Sequence, residues 1–435
     1  MRAALLSSWT LFFGIFLFMA GNGLQGALLG NRAEVLSFGD LITGIIMSGY
    51  FAGFVLGSTL VPKLVSNVGH VRVFGALAGL ASSSILVHAI FENSALWVVM
   101  RLVTGFAYSG MYIIAESWIN DKASNETRGS LLSVYMIVTM SGLILGLMLL
   151  SSGDPSETDL FILVSVLVSI AVVPILMTAA KVPDIQEPET VSVFRVFHVS
   201  PLAAVGMAMQ GLTSAMIFGM GAVYTTKLGL SLTEISFYMS AVMLGALLLQ
   251  YPIGKLSDVF DRRSVIVIVQ TLAIVVSALA YFTESMHFYV LLVTAAIYGG
   301  IHTPLYSLYI AHANDFLTPR QIVATSSRLV LINGVGAVFG APIVGYAMGV
   351  FGPSAFYPTM GFFHLLMAAF AIYRMTVRDS LPNEAQSPFV VMPQRSTPMA
   401  TQLLPDAPWE DNASEDEAGG ENIILSNDPK GSPTS

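Results

Sequence analysis

Long apolar segments dominate the chain, and short polar stretches separate them. Twelve such segments of roughly 18 to 27 residues can be marked out, and each is long enough to cross the ~30 Å hydrocarbon core of a bilayer as a helix. The pattern therefore predicts an all-α membrane protein. The predicted spans, numbered one to twelve in chain order, are 8–30, 41–61, 73–91, 95–117, 129–151, 160–180, 201–225, 235–254, 264–282, 287–312, 322–347 and 354–374.

Positively charged residues lie almost entirely in alternate loops, which are the loops on one side of the membrane. The positive-inside rule assigns that side to the cytoplasm. With a cytoplasmic N-terminus, the outer loops and outer helix ends carry only Arg32 and Lys227. We therefore expect a multi-pass protein of the cell (inner) membrane with both termini in the cytoplasm. The inner loops would hold Lys63, Arg72, Lys122, Arg128, Lys181, Arg195, Lys255, Arg262, Arg263 and Arg320.

The composition supports a membrane protein and argues against several classes of enzyme. Hydrophobic residues make up 54% of the 435 residues and charged residues only 11%, whereas soluble proteins carry about 25% charged residues. The chain has no cysteine, which excludes disulfides, thiolate nucleophiles and cysteine-ligated metals. It also lacks H-E-x-x-H and phosphate-binding-loop motifs. We therefore expect no enzyme activity, no cofactor, no bound metal and no nucleic acid partner.

The acidity of the protein belongs to its C-terminal tail. Residues from 379 onward hold ten acidic and two basic side chains, which accounts for the whole net charge of −8. Low hydrophobicity and high charge predict a disordered, solvated tail without a specific partner. The expected domains are an N-terminal six-helix half (1–180), a cytoplasmic central loop (181–200), a C-terminal six-helix half (201–376) and a disordered acidic cytoplasmic tail (377–435).

The two halves of the membrane region repeat each other. Chance matching of glycines is the alternative explanation, but paired Asn-Asp ends and a paired G-x-x-x-G favour a duplication. A shift of 194 residues places Gly105, Tyr112, Asn120, Asp121, Gly142 and Gly146 on Gly299, Tyr306, Asn314, Asp315, Gly336 and Gly340.

The loop between spans eight and nine carries a specific motif, G-K-L-S-D-V-F-D-R-R. So short a turn with two acids and three bases can form an ion-pair cluster that latches onto a neighbouring helix end in one conformation. A simple positive-inside anchor is the alternative. The spacing of Gly254, Asp258, Arg262 and Arg263 resembles the signature loop of the major facilitator superfamily (MFS). Two six-helix halves in parallel orientation are the arrangement described for that superfamily.

The corresponding loop of the first half departs from this motif and resembles the form found in the YcaD-like subgroup. It has Gly57, Pro62, Lys63, Gly69 and Arg72, with no aspartate at the expected place. The segments E-S-W-I-N-D (116–121), N-E-T-R-G (125–129) and P-L-Y-S-L-Y-I-A-H-A-N-D (304–315) agree with that subgroup. The resemblance covers roughly residues 8 to 374. It implies a twelve-helix secondary transporter and supplies no substrate.

Arg101 is a charged residue within the predicted span four. A lone arginine facing lipid at this depth costs at least ~2.5 kcal/mol, so we expect it to face a polar cavity or a partner. Snorkelling to the headgroups is the alternative. The spacing R-x-x-x-G from Arg101 to Gly105 resembles the span-four motif of proton-linked antiporters.

Polar residues at helical spacing extend this face to other spans. In the resembled fold, spans one, four, seven and ten line a central cavity. For each residue alone, packing between helices is an equally good explanation, and the pattern across four spans carries the argument. The predicted substrate-binding residues are Asn22, Gln25, Arg101, Tyr108, Tyr112, Gln210, Tyr224, His302 and Tyr306.

Charged and polar residues at the inner helix ends are candidates for gating or coupling. We expect Asp258 with Arg262 and Arg263, and Glu116 with Arg128, to close the cytoplasmic side. No acidic residue lies at mid-membrane, so H+ coupling would depend on a group such as His302, which can titrate near physiological pH; a neutral, buried histidine is the alternative. The full gating set is Glu116, Arg128, Asp258, Arg262, Arg263, Asn314 and Asp315.

These features together predict a secondary active transporter that moves a small solute by alternating access, coupled to an ion or proton. Arg101 favours an anionic or zwitterionic solute. Export of drugs or amphiphiles is the alternative within transport, and a non-transporting receptor that signals through its tail is the alternative of another class. The expected partners are the solute, H+ as coupling ion and the lipid bilayer, with the protein as a monomer.

Overall fold

The structure is a computed structural model that describes residues 2–124, 127–178, 192–284, 286–377, 386–387, 389–393 and 397–403. Twelve helices in these ranges are long and apolar enough to cross a membrane, which confirms the predicted number. The spans are Arg2–Val35, Asp40–Val68, His70–Ile90, Ser94–Asp121, Arg128–Leu149, Asp159–Thr178, Pro201–Lys227, Leu232–Val259, Arg262–Thr283, Phe288–His302 continued by Pro304–Asn314, Pro319–Phe351 and Phe356–Val377.

Several helices extend beyond their predicted ends, because local capping continues the helix into the polar flanks. Span eleven begins at Pro319 rather than near 322, since Thr318 and Gln321 form a capping box and proline is favoured in the first turn. Shorter helices occupy the connections: Val193–Val199 within the predicted central loop, and the 3₁₀ turns Leu150–Ser152 and Pro353–Ala355.

Span ten is interrupted at Thr303, where the sequence predicted one continuous helix. Pro304 has no N–H to donate, and the Tyr306 N–H bonds to the Thr303 carbonyl at 3.2 Å instead of reaching back a full turn to His302. The freed His302 carbonyl accepts a hydrogen bond from the Gln210 side chain at 2.9 Å. A broken helix is tolerated at membrane depth when a neighbouring side chain satisfies the backbone in this way.

The internal repeat is visible in how the helices touch. A Cβ at Gly142 or Gly146 in span five would collide with the backbone of span one. Their partners Gly336 and Gly340 in span eleven stand in the same relation to the backbone of span seven. Small residues at these positions let helix backbones approach closely. The glycines matched by the 194-residue shift therefore occupy equivalent contacts in the two halves.

In the part of the chain that the structure describes, the two halves contact each other directly at one end of the bundle. We call this the closed end; it holds the connections 36–39 and 228–231. Here the backbone of span two lies against span eleven, because Gly44 faces the Ala341 carbonyl and Gly345 faces the Asp40 carbonyl. The opposite end, which holds Gly69 and the connection 315–318, is called the tail end.

Part of the C-terminal tail packs at the tail end, where the sequence had predicted a disordered, solvated segment. Pro398–Leu403 forms a 3₁₀ turn, and Met392, Thr397, Ala400 and Thr401 are fully buried. Eight of the ten acidic residues of the tail follow residue 403, so a prediction averaged over the whole tail missed this apolar stretch.

We expect Gly340→Ala to lower the free energy of unfolding by about 1–3 kcal/mol, because an added methyl group has no room against the span-seven backbone. Thermal unfolding in detergent measures the effect. Gly79→Ala is the control, since no atom lies within 4 Å of its Cβ position and alanine favours a helix over glycine. Equal melting temperatures for the two variants would contradict the close contact.

Candidate solute site

Among the described residues, three small cavities can be traced along the interface between the halves. Their volumes are about 20, 30 and 60 Å³, which is room for a few water molecules but not for an organic solute. Phe218 of span seven borders all three. The interface is therefore nearly closed around this ring in the conformation described.

Arg101 borders the second cavity, as the sequence had predicted for a residue that avoids lipid. Its side chain is buried, and its guanidinium carbon lies 4.7 Å from the centroid of the Tyr50 ring. Asn22 borders the same cavity and donates to the Tyr50 hydroxyl at 3.1 Å. An arginine over an aromatic face gains a cation–π interaction that is stronger when desolvated. The C-terminal half contributes Phe218, Met239 and Met243, among others, to the wall of this cavity.

Tyr112 borders the first cavity and lies further along span four, toward the tail end. Its hydroxyl contacts the sulfur of Met19 at 2.9 Å and lies 3.5 Å from the Asn22 amide nitrogen. Tyr108 is fully buried beside it and packs against the rings of Phe18 and Tyr50. The structure thus brings together four of the predicted residues: Asn22, Arg101, Tyr108 and Tyr112.

Gln210 and His302 face each other inside the C-terminal half. The Gln210 amide nitrogen lies 3.2 Å from His302 Nε2 as well as bonding its carbonyl. Ser214 lies 3.0 Å from the same Nε2 and borders the third cavity. His302 therefore does not line the three cavities, because Ser214 lies between its ring and the third cavity.

The remaining predicted substrate-binding residues lie away from these three cavities. Tyr224 stacks on Phe356 at 4.4 Å with nearly parallel rings, and it also packs edge-on against Tyr357. Gln25 and Tyr306 are buried without bordering any of the three. The predicted stripe on span seven faces its own half because the helix is rotated, so that Phe218 points to the interface.

The predicted latch forms, but within the C-terminal half. Arg262 makes a buried ion pair with Asp315 at the end of span ten and lies 3.8 Å from Asp258. Burial raises the pKa of the Asp315 carboxyl, and the Arg262 guanidinium opposes that shift. Arg263 lies 3.6 Å from Asp261, and Asn314 accepts a hydrogen bond from Ser326 at 3.2 Å.

Glu116 binds the tail rather than its predicted partner Arg128. Its buried carboxylate accepts hydrogen bonds from the Tyr135 hydroxyl at 2.8 Å and from the hydroxyl and N–H of Thr397. These donors occupy the place that we had expected Arg128 to take. Arg128 is itself buried at the start of span five. The expected Glu116–Arg128 bridge is therefore corrected: the tail segment supplies the donors.

A charge cluster joins the halves at the closed end. Lys227, the last residue of span seven, lies 3.0 Å from Asp40 and 3.1 Å from Glu34. The helix dipoles favour this arrangement, because Lys227 ends one helix and Asp40 begins another. Nearby, Asn31 donates to Thr226 at 2.9 Å. From the sequence, Lys227 was only an exception to the positive-inside pattern, and no signal pointed to Asp40, whose partner lies in the other half.

Known proteins share both the sequence pattern and the architecture. The profile of the Major Facilitator Superfamily matches residues 11–197 and 203–411, which is most of the chain. The chain belongs to the Major Facilitator Superfamily. This confirms the family suggested by the signature loop between spans eight and nine, and with it a membrane transporter rather than an enzyme.

Curated relatives identify the same subgroup of MFS proteins. The chain is 23% identical to the uncharacterized MFS-type transporter YcaD of Escherichia fergusonii over 329 residues, covering 74% of this chain and 85% of YcaD. The YcaD protein of Escherichia coli O6:K15:H31 matches with the same identity and coverage. The resemblance to the YcaD-like subgroup is therefore confirmed.

Solved MFS structures show the same fold. The crystal structure of the nucleoside transporter NupG superposes with a TM-score of 0.73, at 16% identity, over 86% of this chain and all of NupG. A bacterial homologue of the human lysosomal transporter Spinster, solved inward-facing and unoccupied, gives a TM-score of 0.66 at 14% identity, over 93% of this chain and 97% of the homologue.

We expect Lys227→Gln to open the closed end of this MFS protein. Asp40 would lose its cross-half partner while staying buried, and a change of ~1 kcal/mol shifts a conformational population about 5-fold. The chain has no cysteine, so Ala222→Cys, at the wall of the Arg101 cavity, can report access to a thiol reagent in nanodiscs. Labelling should become several-fold faster.

Arg32→Gln is the matched control for Lys227→Gln. Arg32 lies at the same end, but its partner Glu92, at 2.6 Å, is half exposed and belongs to the same half. Its loss should leave the labelling rate of the Ala222→Cys reporter unchanged. Similar labelling in both variants would show that the Lys227 cluster does not hold the halves together.

We expect Arg262→Met to lower the free energy of unfolding by about 3–5 kcal/mol, because it leaves Asp315 buried without its cation. The pKa of Asp315, already raised by burial, rises further without Arg262. The folded state then binds a proton more tightly than the unfolded state, so stability falls as pH rises.

Thermal unfolding at pH 5 and pH 8 should therefore show a smaller loss for Arg262→Met at the lower pH. The double variant Arg262→Met/Asp315→Asn removes the unpaired charge and should recover stability at pH 8. A loss that is independent of pH and of Asp315 would mean that the ion pair is not the cause.

Proposed function

We propose that this MFS protein is a secondary active transporter that moves a small anionic or zwitterionic solute by alternating access. The observation that carries the proposal is Arg101, a buried cation at the interface cavity with its guanidinium over the Tyr50 ring. Arginine is costly within the membrane and usually marks a binding site or pathway there. A carboxylate or phosphate group on a solute would be a strong partner for it.

The neighbouring residues suit a solute that is charged at one end and apolar at the other. Asn22 and Tyr50 offer polar groups beside Arg101, while Phe218, Met239 and Met243 supply an apolar wall from the other half. Because the site has walls from both halves, a solute bound here would contact residues that move apart when the halves rock. That is the requirement for coupling binding to alternating access.

The closed end is the outer gate in this proposal. The positive-inside rule assigns the tail end to the cytoplasmic side of the cell (inner) membrane. Both termini would then lie on that side. The Lys227 cluster and the contact of spans two and eleven then close the outer side. The charged and polar residues at the tail end, including Asp258, Arg263 and Asn314, would rearrange when the inner side closes.

We infer that the protein acts as a monomer. We also propose that transport is coupled to protons. Glu116 and His302 are buried titratable groups close to the pathway: Glu116 bonds Tyr135 beside the first cavity, and His302 contacts Ser214 beside the third. A proton taken up at either group would alter hydrogen bonds that reach the pathway.

Export of amphiphiles is a second candidate that one observation favours. The first cavity is lined mainly by apolar and adaptable side chains, among them Met19, Met140, Met243 and Phe218. Methionine-rich walls accommodate ligands of varied shape. Such a substrate would bind by apolar contact and would not require Arg101.

We expect purified protein in liposomes with an imposed pH gradient to accumulate an organic anion or zwitterion, and Arg101→Ala to lower that flux at least 10-fold. The panel includes nucleosides, because NupG, which has the same fold, is a nucleoside transporter. Arg195→Ala is the control, since Arg195 is exposed in the short helix Val193–Val199, outside the cavities and the signature loop.

The two candidates separate in this experiment. Loss of anion flux in Arg101→Ala with intact folding supports the anion transporter. Amphiphile flux that persists in Arg101→Ala supports the second candidate. Absence of solute-dependent flux across the whole panel would count against transport by this protein.

A further inference from the structure

The described tail residues 386–387, 389–393 and 397–403, called here the plug segment, lie between the halves at the tail end. Six of their side chains are nearly or fully inaccessible to solvent, which is unusual for a stretch outside the membrane helices. They are Met392, Pro393, Thr397, Met399, Ala400 and Thr401.

The plug segment binds the N-terminal half through Glu116. The Thr397 hydroxyl donates to one carboxylate oxygen, and the Thr397 N–H lies 3.3 Å from both. Glu116 is fully buried, so these donors satisfy a group that would otherwise be costly to bury. Tyr135 completes the arrangement at 2.8 Å.

The same segment binds the C-terminal half at the Arg262 latch. The Ser387 carbonyl accepts from Arg262 at 2.6 Å, and the Ser387 N–H donates to Asp315 at 2.8 Å. The Phe389 N–H donates to Asp258 at 2.8 Å. Its ring lies where a side chain at Gly254 would be, so the signature loop forms part of the surface that holds the tail.

The middle of the plug segment reaches the proposed solute pathway. The Met392 N–H donates to Ser307 in span ten at 3.0 Å. Pro393 is itself part of the wall of the first cavity, together with Tyr112 and Thr139. Further along, Thr401 lies 3.1 Å from Ser327 in span eleven, hydroxyl to hydroxyl.

The geometry points to self-inhibition: the cavity mouth at the tail end is a binding site for the chain's own plug segment, and binding of that segment blocks solute access from that end. The inference rests on the proposed transport function. One peptide that hydrogen-bonds both halves also keeps them from approaching each other, so the tail end can close only after the plug segment leaves. A tethered segment rebinds at high effective concentration, so its release sets the rate of transport.

A disulfide between Ser327→Cys and Thr401→Cys tests this inference. The two hydroxyls are 3.1 Å apart, which suits the short separation that a disulfide requires, and no native cysteine interferes. A protease site inserted after residue 382 detects the bond, because the cleaved tail stays attached only when it is crosslinked. Oxidation should form the bond and lower flux at least 10-fold, and a reductant should restore it.

The single-cysteine variants are the controls and should keep their flux under oxidation. A crosslink that forms while flux is unchanged would overturn the inference, because a fixed segment would then not block the pathway. Failure of the crosslink to form in the membrane-embedded protein would also overturn it, since the segment would not be docked. Removal of residues 386–435 should raise flux above that of the full chain.

A second measurement separates this inference from the transport proposal. Ala246→Cys borders the first cavity beside Pro393, and it should react at least 10-fold faster with a thiol reagent after removal of residues 386–435. Ser66→Cys, exposed at the tail end, should react equally in both. If no variant shows flux, transport is refuted, and the labelling ratio still decides whether the segment blocks the cavity.

Discussion

Each buried charge in this protein has to find a partner, because an isolated charge in an apolar environment costs several kcal/mol. Arg101 lies over an aromatic ring, Lys227 bridges two acids, Arg262 pairs with Asp315, and Glu116 accepts hydrogen bonds from Thr397. These four requirements fix which helices meet at each level of the bundle. The contacts of Arg101 with Tyr50 and of Arg262 with Asp315 each lie within one half, whereas Lys227 pairs with acids of the other half and Glu116 is bonded by the tail.

The sequence predicted the fold because the bilayer imposes a simple rule on it. A helix must be long and apolar to satisfy its backbone in lipid, so twelve apolar segments were readable as twelve spans. The repeat was also readable, since Gly146 and Gly340 permit the same backbone contact in both halves. The interruption at Thr303 had a signal in the following Pro304, but its stabilisation by Gln210 depends on a different helix.

The candidate site was only partly predictable, because periodicity does not determine which way a helix faces. Arg101 had to avoid lipid, and that energetic argument placed it correctly beside a cavity. Tyr224 carried no such constraint, and its ring packs within its own half. Phe218 was missed since one more phenylalanine in an apolar span gives no signal, although it borders all three interface cavities.

The two ends of the bundle are held by different kinds of contact, and the difference bears on how the protein moves. At the closed end, side chains and helix backbones of the two halves touch directly, through Lys227 and through Gly44. At the tail end, a separate stretch of chain supplies the contacts on both sides, through Thr397 and Ser387. Direct contacts can be broken only by moving whole halves, whereas a peptide can leave while both halves stay in place. Glu116 would then lose its Thr397 donors, and a new donor, from solute, water or a closing helix, has to replace them.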